Sequence, residues 1–332
     1  MKVRLFPDQI QVVVDMLIRR YIADDKDVKQ LVSLFIEADL DGFHTHGLAR
    51  LPRFLDELKR GEIVPNGRLT QVHSMGGWEV WDGNSGIGPL HALVSTQRAV
   101  ELARRHGVTC ISLRNTNHWL RPGYYGKHAA EQGCAFLCWT NTIPNVVAYG
   151  GMQAGIGNNP LTIAIPGDEC PFLLDMAMSQ FSYGKLAEYA ADERLLPAHG
   201  GYDAQSQLTN DAQTIFQRQS ATPIGLWKGT GLSMALDLLA ALLSGGQSTQ
   251  EIGNKTGEQN VSQVFMAFDL ISYYGEAKYK QRACELFEQI KQANPGARIP
   301  GEGMLLRRAD QIKNGIEIDA ALWQSLCDQV DM

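Results

Sequence analysis

Residues 44–50 read His-Thr-His-Gly-Leu-Ala-Arg. Two imidazoles this close, followed by a guanidinium, admit three readings. In an extended segment His44 and His46 point to one side and can share a metal. Zinc, however, takes three or more protein ligands in most sites, and neither an HExxH pattern nor a Cys/His cluster supplies the third. As an acid–base site, one histidine titrates near neutral pH and passes a proton, while the planar fork of Arg50 matches a carboxylate. As a solvated loop between helices, the segment does no chemistry. Loops on rigid scaffolds suit the second reading as well as the third.

Three further stretches carry polar groups at suggestive places. RNTNHWLRPGYYG (114–126) follows the strand-like run VTCISL. Asn115, Asn117 and His118 would then stand at a strand's C-terminal end, where open α/β sheets place ligands; a turn decorated with asparagine accounts for them equally. LWKGTGLSMALD (226–237) sets Trp227 and Lys228 just ahead of a helix opened by Gly229 and Gly231. Free N–H groups and the helix dipole attract phosphate there, and a lysine adds a point charge. The stretch is neither a Walker sequence nor GxGxxG, because Met234 stands at the last glycine position. In FLLDMAMSQFSYGK (172–185), Asp175 ends an apolar run and either accepts from ribose hydroxyls or caps the next helix.

These groups need elements to hold them. Helical spacing predicts helices over 7–22, 26–40 and 51–60, with Pro7 at a first helical position and Gly61 as a stop. HTHGLAR is then the connection between the second and third. A long amphipathic helix runs from Pro89 to His106 and ends at Gly107. Strand-like runs follow at Val108–Leu113, Ala135–Trp139, Leu161–Ile165 and Phe172–Met176, the last two separated by a Pro-Gly-Asp turn. Gly231–Leu243 reads as a buried helix, Val264–Asp269 as a strand and Tyr274–Ala293 as one long helix. The tail returns to helix at Met304–Lys313, and Asp319 caps Ala320–Val330. Strands alternating with helices make an α/β layer architecture.

Composition agrees. The chain has 332 residues, 44% hydrophobic and 20% charged, enough to bury a substantial core. Its 33 glycines suit an enzyme with many tight turns. Net charge is −6 with no basic stripe, which argues against nucleic acid. The amphipathic N-terminus is no signal peptide, and the longest apolar stretch, MALDLLAALL, carries Asp237 and is too short for a bilayer. Cys110, Cys134, Cys138, Cys170, Cys284 and Cys327 form no CxxC pair and are expected as buried thiols in a reducing cytoplasm.

Taken together, THGLAR, NTNHW, YGG…GIGNNP (149–160), LLDMAMS, WKGTGLS and IPGEG (299–303) resemble the type-2 malate/L-lactate dehydrogenase family nearly end to end. The resemblance implies NAD(P)H-dependent reduction of a 2-oxo acid, with NADH preferred over NADPH, and no metal. It implies an α/β fold whose central mixed-sheet cofactor domain (73–295) lacks a Rossmann fingerprint. A helical portion would come from an N-terminal segment (1–72) and a C-terminal one (296–332). It also implies a homodimer with active sites at domain and subunit boundaries. Position by position, His46 and His118 match the catalytic histidines and Arg50 the substrate-binding arginine. Pro171, Phe172, Leu173, Leu174, Asp175, Met176, Ala177, Trp227, Lys228, Gly301, Glu302 and Gly303 match cofactor contacts. One departure is local: His44 and Thr45 stand where many members carry Asp-Ser before the His-Gly pair.

Overall fold

The computed structural model describes residues 1–167, 171–255 and 257–331. A short strand, β1 (Lys2–Leu5), leads into helices α1 (Pro7–Arg19), α2 (Asp25–Leu40) and α3 (Leu51–Lys59). The side chain of Asp24 accepts from the Asp27 N–H and caps α2. Val28, Leu31, Val32 and Phe35 repeat at helical spacing and are buried. Phe35 meets Phe54 of α3 edge to face, with ring centroids 5.5 Å apart.

The middle of the chain builds the sheet. It contributes β2 (Thr70–Met75), β3 (Trp78–Asp82), α4 (Gly88–His106), β4 (Val108–Asn117), α5 (Pro122–Glu131) and β5 (Cys134–Thr140). After the short pair β6 (Val146–Val147) and β7 (Ala154–Ile156) come β8 (Leu161–Ile165) and β9 (Phe172–Met176). A small lobe follows: α6 (Tyr183–Ala191), β10 (Gly201–Tyr202), β11 (Leu208–Thr209) and α7 (Ala212–Arg218). Then come α8 (Trp227–Ser244), α9 (Thr249–Gly253), β12 (Gln259–Asp269), α10 (Leu270–Tyr274) and α11 (Glu276–Ala293). The chain closes with α12 (Glu302–Asn314), β13 (Ile316–Asp319) and α13 (Ala320–Asp331).

Seven strands pair in the order β2-β3-β4-β12-β5-β8-β9. Only β3 and β4 run parallel; every other pair is antiparallel. This is a mixed sheet without the repeated parallel crossovers of a Rossmann fold. At the chain ends β1 pairs with β13, so the termini meet in one ladder. The largest core cluster runs from Ile10 and Leu31 through Phe136 and Phe265 to Ile316 and Leu326, joining helical portion and sheet.

Several expectations need correction. Strand β4 runs through Asn117, so the Asn-x-Asn stretch is strand rather than turn. Gly275, at φ 75°, separates Tyr274, the last residue of α10, from α11, so the helix expected over 274–293 begins at Glu276. Helix α8 starts four residues earlier than expected and is not a buried helix. Only Gly229, Ser233, Leu236, Ala240 and Ser244 line a covered face, while Leu238 is 58% and Leu242 77% exposed. A helix this apolar reads as buried, but none of the described residues covers that side. Of the cysteines, Cys134 and Cys138 are buried, whereas Cys110, Cys284 and Cys327 are partly exposed; Cys170 lies outside the described residues. Among the described residues no helix is long and apolar enough to cross a membrane.

Candidate active site

The segment after α2 makes two tight 3-10 turns, His44–His46 and Leu48–Arg50, rather than an extended strand. Buried Asp39 organises it. One carboxylate oxygen accepts from the Leu48 N–H at 2.7 Å and the other meets His44 Nδ1 at 2.7 Å. A Cβ on Gly47 would lie 2.1 Å from the Asp39 carboxylate, so only glycine lets the turn close over it. The two histidines therefore diverge. His44 is a partner of Asp39, and His46 faces His118. Among the described residues no group of three or more His, Cys, Asp or Glu is arranged to hold a metal.

His118 leaves the end of β4 beside His46, with ring centroids 5.8 Å apart and planes inclined by 18°. The neighbouring asparagines build the platform. Asn117 Nδ2 donates to the Ser85 and Gly86 carbonyls at 2.9 Å, and Asn115 Nδ2 donates to Asp82 at 2.9 Å. The Leu120 N–H donates to His118 Nδ1 at 3.1 Å. In the neutral ring the proton then sits on Nε2. Leu120 takes a left-handed φ of 61° to make this bond, costly for a residue with a Cβ.

Arg50 is buried beneath this pair. Glu57 fixes one of its nitrogens, with contacts of 3.0 and 3.2 Å, and Glu57 is shared with Arg53 at 2.8 Å. Among the described residues no other group bonds the rest of the guanidinium fork. Burial, then the positive charges of Arg50 and Arg121, push the His46 imidazole down to about 4. Burial, Arg50 and His46 hold His118 well below its ordinary range. Both rings are neutral at pH 7 without a bound anion.

These side chains line a cavity of about 580 Å³. Its walls also include Met176 and Ala177 of the expected cofactor stretch, and Arg121, Asn145, Asn158 and Glu258. A second cavity of about 230 Å³ is lined by Leu173, Gly301, Gly303, Arg298 and Arg307. Phe43, Arg121 and Asp175 belong to both. Gly301 stands at φ 108° before α12, and a Cβ there would come within 2.8 Å of the Pro171 carbonyl. That helix N-terminus, with Glu302 in its first turn, lies beside Arg298 and Arg307 on the wall of this cavity. Asp175 accepts from the Gly123 N–H at 3.0 Å, so it caps α5, an earlier helix than the sequence suggested. Arg121, 3% exposed, pairs with Asp41 and lies 3.6 Å from Asp175.

The structure therefore brings His46, His118, Arg50, Asp175, Met176 and Ala177 around one cavity, with Leu173, Gly301 and Gly303 around its neighbour. Phe172, Leu174, Trp227, Lys228 and Glu302 line neither. Phe172 stacks on Phe287, Glu302 pairs with Lys291 at 2.5 Å, and Trp227 is 65% exposed at the start of the uncovered helix α8. Sequence reasoning missed Arg121, Asn145, Glu258 and Arg307. Asn158 was in view only inside GIGNNP, and the spacing of Arg298 before IPGEG was the signal for the second cavity.

With this geometry in place, the kinship is plain. The chain belongs to the malate/L-lactate dehydrogenase family, whose model matches residues 6–327, and so to a family of oxidoreductases. Among curated proteins it is 37% identical over 313 residues to the 2,3-diketo-L-gulonate reductase of Salmonella typhimurium, covering 92% of this chain and 94% of that one. A solved dehydrogenase from Sinorhizobium meliloti superposes with a TM-score of 0.89 at 28% identity, over 99% of this chain and 98% of that one. The malate dehydrogenase of Pyrococcus horikoshii gives a TM-score of 0.88 at 26% identity, over 99% and 96%.

Proposed function

We propose that this protein reduces a 2-oxo acid to the 2-hydroxy acid with a nicotinamide dinucleotide, and that its substrate is 2,3-diketo-L-gulonate, reduced to 3-dehydro-L-gulonate. One observation carries the reading: two facing histidines share a cavity with a buried arginine whose fork is only partly satisfied. The residues fit a dinucleotide. The paired cavities, the arginines beside Gly301 and the shared wall at Asp175 suit an elongated anionic ligand. Leu173, Asp175, Met176, Ala177, Gly301 and Gly303 would hold it, and when bound it supplies the hydride.

The chain's own groups do the rest. Arg50 binds the substrate carboxylate with the fork that Glu57 leaves free. His118 donates from Nε2 to the C2 oxygen, since its Nδ1 is committed to the Leu120 N–H. Among the described residues no backbone group bonds either ring nitrogen of His46, and it delivers the proton to the forming alkoxide. Similarity to the 2,3-diketo-L-gulonate reductases supports the choice of substrate. The exposed leucines of α8 support a homodimer, since an apolar face of that kind marks a protein interface. A panel of 2-oxo acids, followed by loss of NADH or NADPH absorbance, tests the function. Fastest turnover is expected with 2,3-diketo-L-gulonate and NADH; no turnover with any 2-oxo acid would leave a cofactor-binding protein without this activity.

A further inference from the structure

The wall of the larger cavity carries a pair of asparagine side chains that the chemistry above does not use. Asn145 is 8% exposed, yet its Oδ1 has no hydrogen-bond partner among the described residues. Most buried polar atoms find a partner, so one left without it calls for an explanation, and this one differs from the chain's other such side-chain amides in lining the cavity. Everything else about Asn145 is tied down. Its backbone N–H donates to the Ile156 carbonyl at 3.0 Å. Its own carbonyl accepts from the Tyr183 hydroxyl at 2.5 Å. Its Nδ2 donates to Asn158 Oδ1 at 3.0 Å, and that oxygen also takes the Thr142 hydroxyl at 3.0 Å. Asn158 is partly exposed; its Oδ1 is engaged and its Nδ2 donates to no group among the described residues. Both side chains line the cavity that holds His46 and His118.

The pair therefore offers a ligand one fixed acceptor, Asn145 Oδ1, and one fixed donor, Asn158 Nδ2. Turning both amides over exchanges the roles but still leaves one acceptor and one donor. A primary carboxamide, with an NH2 and a C=O on one carbon, is the complement of that arrangement. A carboxylate is not, because it has only acceptors. The position is right for the nicotinamide ring. The Met178 N–H donates to the Asn158 carbonyl at 2.8 Å, which sets Asn158 beside the Met176–Ala177 wall. We propose that Asn145 and Asn158 read the carboxamide of the nicotinamide and so fix which ring face is turned toward the histidine pair. This rests on the nicotinamide reading of the cavity, and its two residues are positioning residues for hydride transfer.

Direct binding tests it without turnover. The full-length protein is titrated with NADH and, separately, with the reduced 3-acetylpyridine analogue, in which a methyl group replaces the carboxamide NH2. Dinucleotide fluorescence or calorimetry gives both affinities. The wild-type protein is expected to bind NADH about tenfold more tightly, the value of one lost hydrogen bond at a buried site. Asn145→Ala should lose about that factor for NADH and bind the two dinucleotides alike. Asn158→Ala removes the donor to the C=O that both dinucleotides carry and the acceptor that orients Asn145, so it should weaken both and narrow the difference between them, and thermal unfolding checks that each variant is folded. The wild-type comparison stands alone if neither variant folds. Equal wild-type affinities overturn the proposal. So does an Asn145→Ala protein that keeps NADH affinity but loses affinity for the 2-oxo acid, because the pair would then read substrate hydroxyls. Wild-type protein that binds neither dinucleotide overturns the nicotinamide reading itself, and the proposal with it.

Discussion

If His46 is the proton donor, its ionisation in the free protein and in the ternary complex must differ, and the structure gives the direction. In the free protein burial, Arg50 and Arg121 hold the ring at about 4. A substrate carboxylate seated on Arg50 cancels one of the two positive charges that depress it. Two unit charges about 7 Å apart at an effective dielectric constant of 20 interact by roughly 2 kcal/mol, so the His46 pKa should rise by about one to two pH units in the complex. Reduction needs the protonated ring, so both rate constants fall as pH rises. The profile of kcat/KM reports the free protein and that of kcat the complex. The descending limb of kcat/KM should therefore begin near pH 4, and that of kcat about one to two units higher. Arg50→Gln removes the charge outright. It should raise the free-protein pKa of His46, read by NMR titration of its ring protons, while weakening substrate binding. Coincident limbs for kcat and kcat/KM, together with an unchanged His46 titration in Arg50→Gln, would refute the electrostatic coupling. Full turnover in His46→Ala, with none in His118→Ala, would move the proton to His118.

Other perturbations probe separate parts of the site. Arg50→Lys keeps the charge but loses the fork, so the KM for the 2-oxo acid should rise by about ten- to a hundredfold, with a smaller effect on kcat, in steady-state assays. Gly47→Ala drives a methyl group against the Asp39 carboxylate; denaturant unfolding should show a loss of about 1–3 kcal/mol, and activity should fall as His46 is displaced. Leu238→Asp with Leu242→Asp should turn the proposed dimer into a monomer in sedimentation, whereas an unchanged sedimentation coefficient would place the interface elsewhere. Dialysis against EDTA should leave turnover intact; loss restored by zinc would return His44 to the chemistry.

Side-chain type and local spacing account for the part of the site that is legible in the sequence. His46 and Arg50 lie within one connection, and His118 is the lone imidazole of a short polar run, so residue type marks them as candidates while the family resemblance assigns their roles. The roles of their neighbours depend on contacts distant in the chain. Asn117 looks like a turn residue but spends its amide on carbonyls 31 and 32 residues away. Asp175 looks like a cap for the helix after it but caps one that begins more than fifty residues earlier. Strand β2 is exposed along its whole length and has no alternation to read. The β1–β13 ladder joins residues more than 300 positions apart. Helix α8 misleads in the opposite sense. Its apolar pattern is genuine, but whether such a face is core or interface is decided by what packs on it, which periodicity does not encode.

The buried ions explain how such distant segments are held in register. Arg121, at the start of α5, pairs with Asp41 at the end of α2 and approaches Asp175 of β9. Arg308 of α12 reaches the same Asp41 at 2.9 Å and Glu37 at 2.7 Å. One acidic residue beside the histidine turn thus ties together the helical N-terminal segment, the sheet and the C-terminal helix. Ion pairs this deep gain little over an apolar core of the same shape, because desolvation offsets most of the attraction. Removing one partner is another matter and typically costs about 3–5 kcal/mol. Such a network is a poor source of stability but a strict enforcer of geometry. It fixes Phe43, which lies under Arg121 at 3.9 Å, and with it the turn that carries His46. A turn held this firmly keeps His46 facing His118 and leaves Arg50 with part of its fork unbonded among the described residues.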